Sequence, residues 1–302
     1  VFCLFFRPEM EGMRYSGISK NPSIFALYLG TIGAIVLGTL DNKIRSNRKW
    51  YHLLLVIAEG CVVLTFLWKT QSAGPLLCMA TIVVIWFFRT NLYLKKKKRK
   101  KVLAVVVLSF VLCFVPVYGG ITWSLQHTSQ SLNSAITFEG ETPSAKLTFG
   151  TVSYAADIGE KLKDSRLGSK FSQMTVSGLL SGRNYYWKTY LRNMNLLGHK
   201  ERPIMWGKHI FPHNAVIGIA YNYGIFASIP YIIMLLAIIE RTFRYSRKNV
   251  CFASIPFYVC LSSIIMSMSD NVEQPFVWLP WMGLYFLMGI AFNNSNIDTN
   301  EK

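Results

Sequence analysis

"KKKKRKKVLAVVVLSFVLCFVPVYGG", residues 95–120, decides the fold. Seven consecutive cations, Lys95 to Lys101, give way to an apolar run that continues to Thr122. A helix needs about 20 such residues to cross the hydrocarbon of a bilayer. Stretches of comparable length recur at about 23–40, 50–68, 75–94, 215–240, 250–268 and 275–292, the first and last being the shortest. The 302 residues and a hydrophobic content of 52% would suit one or two soluble domains or a membrane domain. The clustering of the apolar residues chooses the membrane domain. The expected fold is all-α and polytopic, with about seven transmembrane helices and a large extracytoplasmic loop carrying short helices.

The net charge of +17 is clustered. "KIRSNRK" (43–49), residues 95–101 and "RTFRYSRK" (241–248) each lie between two expected spans. Short basic loops stay in the cytoplasm. One topology satisfies them all. It leaves residues 1–22, "KTQSAG" (69–74), the long loop 123–212 and "SDNVEQ" (269–274) on the outer side, with the C-terminus inside. A basic run can also signal nucleic acid. Between two apolar spans it is better explained as a topology anchor that attracts anionic membrane lipid, so no nucleic-acid partner is expected.

Residues 1–122 form an N-terminal membrane bundle, 123–212 the outer loop and 213–302 the C-terminal membrane helices. The opening "VFCLFF" reads as the tail of an apolar segment, so earlier spans are expected upstream. The six cysteines are Cys3, Cys61, Cys78, Cys113, Cys251 and Cys260; none is in the outer loop and none forms a C-x-x-C pair. Their spacing suits neither a disulfide framework nor a zinc site.

The outer loop begins without clear period in "WSLQHTSQSLNSAITFEGETPSAK" (123–146). A short surface helix is expected within 151–168. Asp157, Glu160 and Asp164 share its flank, but alternate with Lys161 and Lys163 as a solvated charged face does. No metal is expected. "SGRNYYWKTYLRNMNLLG" (181–198) has Ser181 as an N-cap and Gly198 as a stop. Trp187, Tyr190, Leu191, Met194 and Leu197 recur at spacings of three and four, which predicts one apolar face. Arg183 belongs to that face. Two readings follow: it points inward toward an anion, for which its planar fork is suited, or it snorkels to water.

"PHN" (212–214) opens the apolar run "AVIGIAYNYGIFASIPYIIML". Asn214 is a natural N-cap and Pro212 fixes the approach. Gly224 and Pro230 interrupt the run, which predicts a short helix joined to the true span by a kink. His213 then sits at the outer interface. An imidazole beside a helix N-terminus faces the positive end of the macrodipole, a setting that suits a neutral ring able to accept a proton. A general base requires such a ring. The plainer reading is a histidine anchoring a helix end among headgroups.

"RYSGISKNPS" (14–23), "SGR" (181–183) and "PHN" (212–214), in this order and with a common outer location, resemble the bacterial O-antigen ligase and O-antigen polymerase family. The resemblance spans residues 14 to 292. It implies an integral membrane glycosyltransferase of the bacterial cytoplasmic membrane that works at the extracytoplasmic face. The donor would be a glycan on undecaprenyl diphosphate, and the acceptor a hydroxyl of a glycan or of a lipid. No cofactor would be needed. Ligases transfer a whole glycan to lipid A–core; polymerases transfer it to the next repeat unit. By this resemblance His213 would be the catalytic base. Arg183 and Arg14 would hold the diphosphate, with Arg192 a weaker candidate. One departure is "TQSAG" (70–74), which has Ala73 where the family often has an arginine; Lys69 is the neighbouring cation.

The alternative is a transporter or flippase of lipid-linked or charged solutes. Glu59, midway along an expected span, favours it, because ionisable groups at that depth are costly and often functional. A protonated Glu59 bonded to a neighbouring helix is the rival view. Gly30, Gly33 and Gly38 predict close helix packing.

Overall fold

The computed structural model describes residues 10–11, 14–17, 19, 21–46, 50–94, 96–136, 183–248, 250, 252–268 and 279–295. The helix expected within 151–168 with Asp157, Glu160 and Asp164, the cap residue Ser181, and the turn 269–274 lie outside them.

The described chain is helical apart from two small hairpins. Hairpin β1 (Met10–Glu11) and β2 (Arg14–Tyr15) precedes α1 (Pro22–Arg45), α2 (Trp50–Thr70), α3 (Ala73–Tyr93) and α4 (Lys96–Ile136). Then come α5 (Arg183–Arg192), hairpin β3 (Ile204–Met205) and β4 (Lys208–His209), α6 (Ala215–Tyr223), α7 (Ile225–Ser246), α8 (Ser254–Ser267) and α9 (Leu279–Ser295). Among the described residues, five segments are long and apolar enough to cross a membrane: Pro22–Arg45, Tyr51–Thr70, Ala73–Leu92, Lys100–Leu125 and Ile225–Ser246. The protein is thus an all-α polytopic membrane protein by the length and composition of these helices. At the positions of the other two expected spans stand α8, 14 residues long, and α9, 17 residues long.

Helix α1 is the hub, packing on α2, α3 and α8. Asn21 starts it by accepting from the Ser23 amide at 2.8 Å, and Pro22 takes the first turn, where its missing N–H costs nothing. Its buried stripe includes Leu29, Gly30, Gly33, Leu37, Gly38 and Asp41. The close packing expected of the glycines is present. A Cβ on Gly38 would lie 2.7 Å from the Ile255 Cα, so α1 and α8 meet backbone to backbone. Gly30 lies against Met266 and Gly38 against Ile255, so the two helices run antiparallel.

These contacts define two ends. One carries the start of α1, the end of α2 and the end of α8; it is called here the loop end. The opposite, basic end joins Arg45 to the last turn of α7: Arg45 Nη1 and Arg89 Nη2 both donate to the Ser246 carbonyl, the latter at 2.9 Å.

Two expectations are corrected. The loop's opening, without clear period in sequence and so expected to be irregular, is helical over 123–136, because α4 runs on to Ile136. An aromatic pair one turn apart, Trp123 and His127 with ring centroids 4.3 Å apart, packs along this extension. Helix α5 ends at Arg192 rather than near Gly198. Asn193 turns back to the Thr189 carbonyl, and the Asn195 side chain accepts from the Leu197 and Gly198 amides. Asparagine offers the backbone these local bonds in competition with the helix.

Candidate functional site

His213 is positioned from three directions. First, Asn214 caps α6 as expected, its Oδ1 accepting from the Ile217 amide at 3.1 Å. Its Nδ2 donates to the Met268 carbonyl at 3.2 Å, which fixes the mouth of α6 to the end of α8. Second, α5 is fastened to the strand of chain that leads to His213. Trp187 Nε1 donates to the Pro212 carbonyl at 2.7 Å, and the Tyr190 hydroxyl to the Ile210 carbonyl at 2.8 Å. Third, the Tyr186 ring lies roughly parallel to the imidazole, with centroids 6.2 Å apart. His213 itself has φ 47°, left-handed backbone that is uncommon for a residue with a side chain.

The apolar face expected of α5 is rotated. Leu191 and Leu197 are exposed, at 56% and 92%. The packed face is Tyr186, Tyr190 and Met194, which meet Ile210, Ile217 and Tyr221. Sequence spacing fitted either stripe; the two hydroxylated rings gained theirs because the Tyr190 hydroxyl finds a carbonyl inside. Arg183 stands three residues before Tyr186 and four before Trp187, so it shares the packed face, and it is half-buried. Arg192 stands nine residues on, on the opposite face, and is exposed.

Arg14 is held at the loop end of the bundle. Its Nε donates to the Thr70 carbonyl at 3.0 Å and its Nη2 to Ser23 Oγ at 3.1 Å. The Thr70 carbonyl is one of the acceptors that a helix C-terminus leaves open. Beside it Tyr15 is fully buried against the Phe25 and Phe66 rings, which fixes the hairpin to α1 and α2. The "TQSAG" turn thus begins with the residue whose carbonyl grips Arg14. Lys69 lies with Nζ 5.0 Å from the Tyr118 ring centroid.

Since Asn214 is tied to Met268 and Arg14 to Ser23 and Thr70, His213, the helix of Arg183 and Arg14 all stand at the loop end. The arrangement offers an imidazole and two guanidiniums, a set able to take up a proton and to bind an anion. Among the described residues no three His, Cys, Asp or Glu gather as a metal site. Glu59 lies on the exposed face of α2.

Sequence reasoning missed Tyr186, Thr70 and Ser23 as positioning groups. It also missed the buried pair Asp41 and Arg89. "TLDNKIR" and "WFFRTNLY" do carry a signal, a charge four residues before the end of each helix, but no local pattern pairs the two. Comparison with protein-family models, curated proteins and solved structures finds no match to this chain.

Proposed function

We propose that this protein transfers a glycan from undecaprenyl diphosphate to an acceptor hydroxyl at the outer face of a bacterial cytoplasmic membrane, as O-antigen ligases and polymerases do. The topology would be the seven-span one, with α8 and α9 crossing and the basic end cytoplasmic. The observation that carries the proposal is the placement of His213, in left-handed backbone at a capped helix mouth, on the same end of the bundle as Arg183 and Arg14. Strained backbone persists where the surrounding fold over-determines it, and such positions cluster at functional sites.

The acceptor oxygen attacks the anomeric carbon of the donor sugar while His213 takes the hydroxyl proton. The bond from that carbon to the diphosphate oxygen breaks, and undecaprenyl diphosphate leaves with the electron pair. Arg183 and Arg14 stabilise the charge that develops on it, the role that preorganised cations serve at a dry interface. Helix α5 ties the two functions together, since one face carries Arg183 and fastens the His213 segment.

The test is His213→Ala in membrane vesicles supplied with lipid-linked donor and acceptor. Transfer should fall at least about a hundredfold, the scale of a lost general base, with unchanged membrane insertion. Transfer at the normal rate overturns the assignment. Glycan profiles of a deletion strain separate the activities: single repeats on the acceptor indicate a polymerase, long chains stranded on the carrier a ligase. A transporter of the same lipid is the second reading, favoured by the break between α6 and α7 at Gly224, since transporters bind substrates at broken helices. Reconstituted protein that flips a lipid diphosphate without forming a glycosidic bond decides for it.

A further inference from the structure

The basic end holds a buried charge cluster that the transfer reaction does not use. Asp41 on α1 is fully buried; Arg89 on α3 is 7% exposed. Arg45 Nε and Arg89 Nη2 each stand 3.7 Å from Asp41 Oδ2, beyond hydrogen-bond reach. Ser254 Oγ, at the start of α8, donates to that oxygen at 2.5 Å. The Arg89 guanidinium lies among the Phe243, Phe257 and Tyr258 rings, 5.6, 5.2 and 5.7 Å from their centroids. Four helices, α1, α3, α7 and α8, meet here.

The cluster is short of acceptors. Both arginines donate to one backbone oxygen, the Ser246 carbonyl. Asn42 Oδ1 is engaged by the Ser254 amide at 3.2 Å. Three donors remain buried without a hydrogen-bond partner: Arg89 Nη1, Asn42 Nδ2 and Trp86 Nε1. Trp86, 5% exposed, precedes Arg89 by one turn on the same face of α3. One of the three is a guanidinium nitrogen, so a charged acceptor would serve it best. Buried donors are rarely left unmatched, and each unmet one destabilises the fold. A compact anionic group with several acceptor oxygens would meet these donors.

We propose that this cluster is a binding site for a phosphate oxyanion, reached past Arg45, whose side chain is 19% exposed. Basic pockets between transmembrane helices hold lipid headgroups in this way. The phosphate comes either from an anionic phospholipid in the adjoining leaflet or from free phosphate. The neighbouring Lys43, Arg244, Arg247 and Lys248 draw both toward this end.

The full chain is placed in nanodiscs of phosphatidylcholine alone or mixed with phosphatidylglycerol, with inorganic phosphate titrated into the former, and its unfolding temperature is measured. Phosphatidylglycerol should raise it by several degrees. A rise with inorganic phosphate of the same size supports the site and makes the free ion its ligand. Asn42→Asp keeps an acceptor for the Ser254 amide but replaces an unmet donor with a carboxylate, so the rise should vanish. Trp86→Phe keeps an aromatic ring and removes one donor, so the rise should shrink. Native mass spectrometry should find one phosphatidylglycerol retained by the wild type and lost from Asn42→Asp. No rise in either arm overturns the proposal, and so does an equal rise in the wild type and Trp86→Phe should Asn42→Asp fail to fold.

Discussion

His213 separates what a residue does for the fold from what it does for the site. Its φ of 47° is tolerated by His better than by most residues, yet it is costly beside glycine. His213→Ala and His213→Gly both delete the imidazole and its contact with Tyr186, so their difference isolates the backbone. The glycine variant should be the more stable by about 1 kcal/mol, measured by thermal unfolding in detergent, while both should lack the proposed transfer. Equal stabilities would mean that the left-handed turn relaxes once the ring is gone. At this scale the sequence was readable where one residue has one role. Asn214 sits before an apolar run and caps it as expected. Arg14 was named without its partners, because the Thr70 carbonyl that holds it is 56 residues away and no local pattern encodes that pairing.

The element scale shows why hydropathy located helices but not their breaks. The run expected at 215–240 divides at Gly224, whereas Pro230 stays inside α7. Pro230 lies in the second turn of α7, where the helix continues at the cost of the one N–H that would donate four residues back. Gly224 has φ 91° and ψ 156°, a region open essentially to glycine alone. The loop after α5 closes on this break. The His199 amide donates to the Tyr221 carbonyl at 2.9 Å and the Ile225 amide to the Asn195 carbonyl at 3.1 Å, so backbone groups freed by the break are satisfied. A Cβ on Gly224 would stand 2.1 Å from the Leu196 oxygen. Gly224→Ala should therefore cost roughly 3 kcal/mol from strain and overpacking. Hydrogen exchange should quicken across residues 193–200, and the proposed transfer should fall with it. Gly120→Ala is the control: nothing lies within 4 Å of the added carbon, and an alanine inside α4 should leave stability equal or slightly higher. The same loop explains the shortened α5. Its apolar spacing was visible in sequence, but the competition between helix and the backbone of a distant break was not.

At the scale of the whole molecule, the bundle and its two ends follow from apolar length and charge clustering, while the ties between helices do not. Short apolar runs 200 residues apart carry no record of which will touch; Arg45 meets the Ser246 carbonyl across a separation of 201 residues. That contact places the cations after α1 and those ending α7 at one end, opposite Asn21, Met268 and the α5 hairpin unit. If short basic loops remain in the cytoplasm, every residue of the loop end faces out. The outcome is tested with single cysteines in a variant whose native cysteines are replaced by serine or alanine. Ser46→Cys and Lys248→Cys should react with a membrane-impermeant maleimide only after the membrane is opened. Lys208→Cys and Arg192→Cys, both at exposed positions of the loop end, should react in intact spheroplasts. The reverse pattern would put His213, Arg183 and Arg14 in the cytoplasm, away from any donor presented outside, and would leave the buried phosphate cluster facing out. Labelling of all four positions from one side would break the link between charge and orientation and would require the helices to cross an even number of times between them, which the direct contact of Arg45 with α7 and the antiparallel run of α1 against α8 oppose.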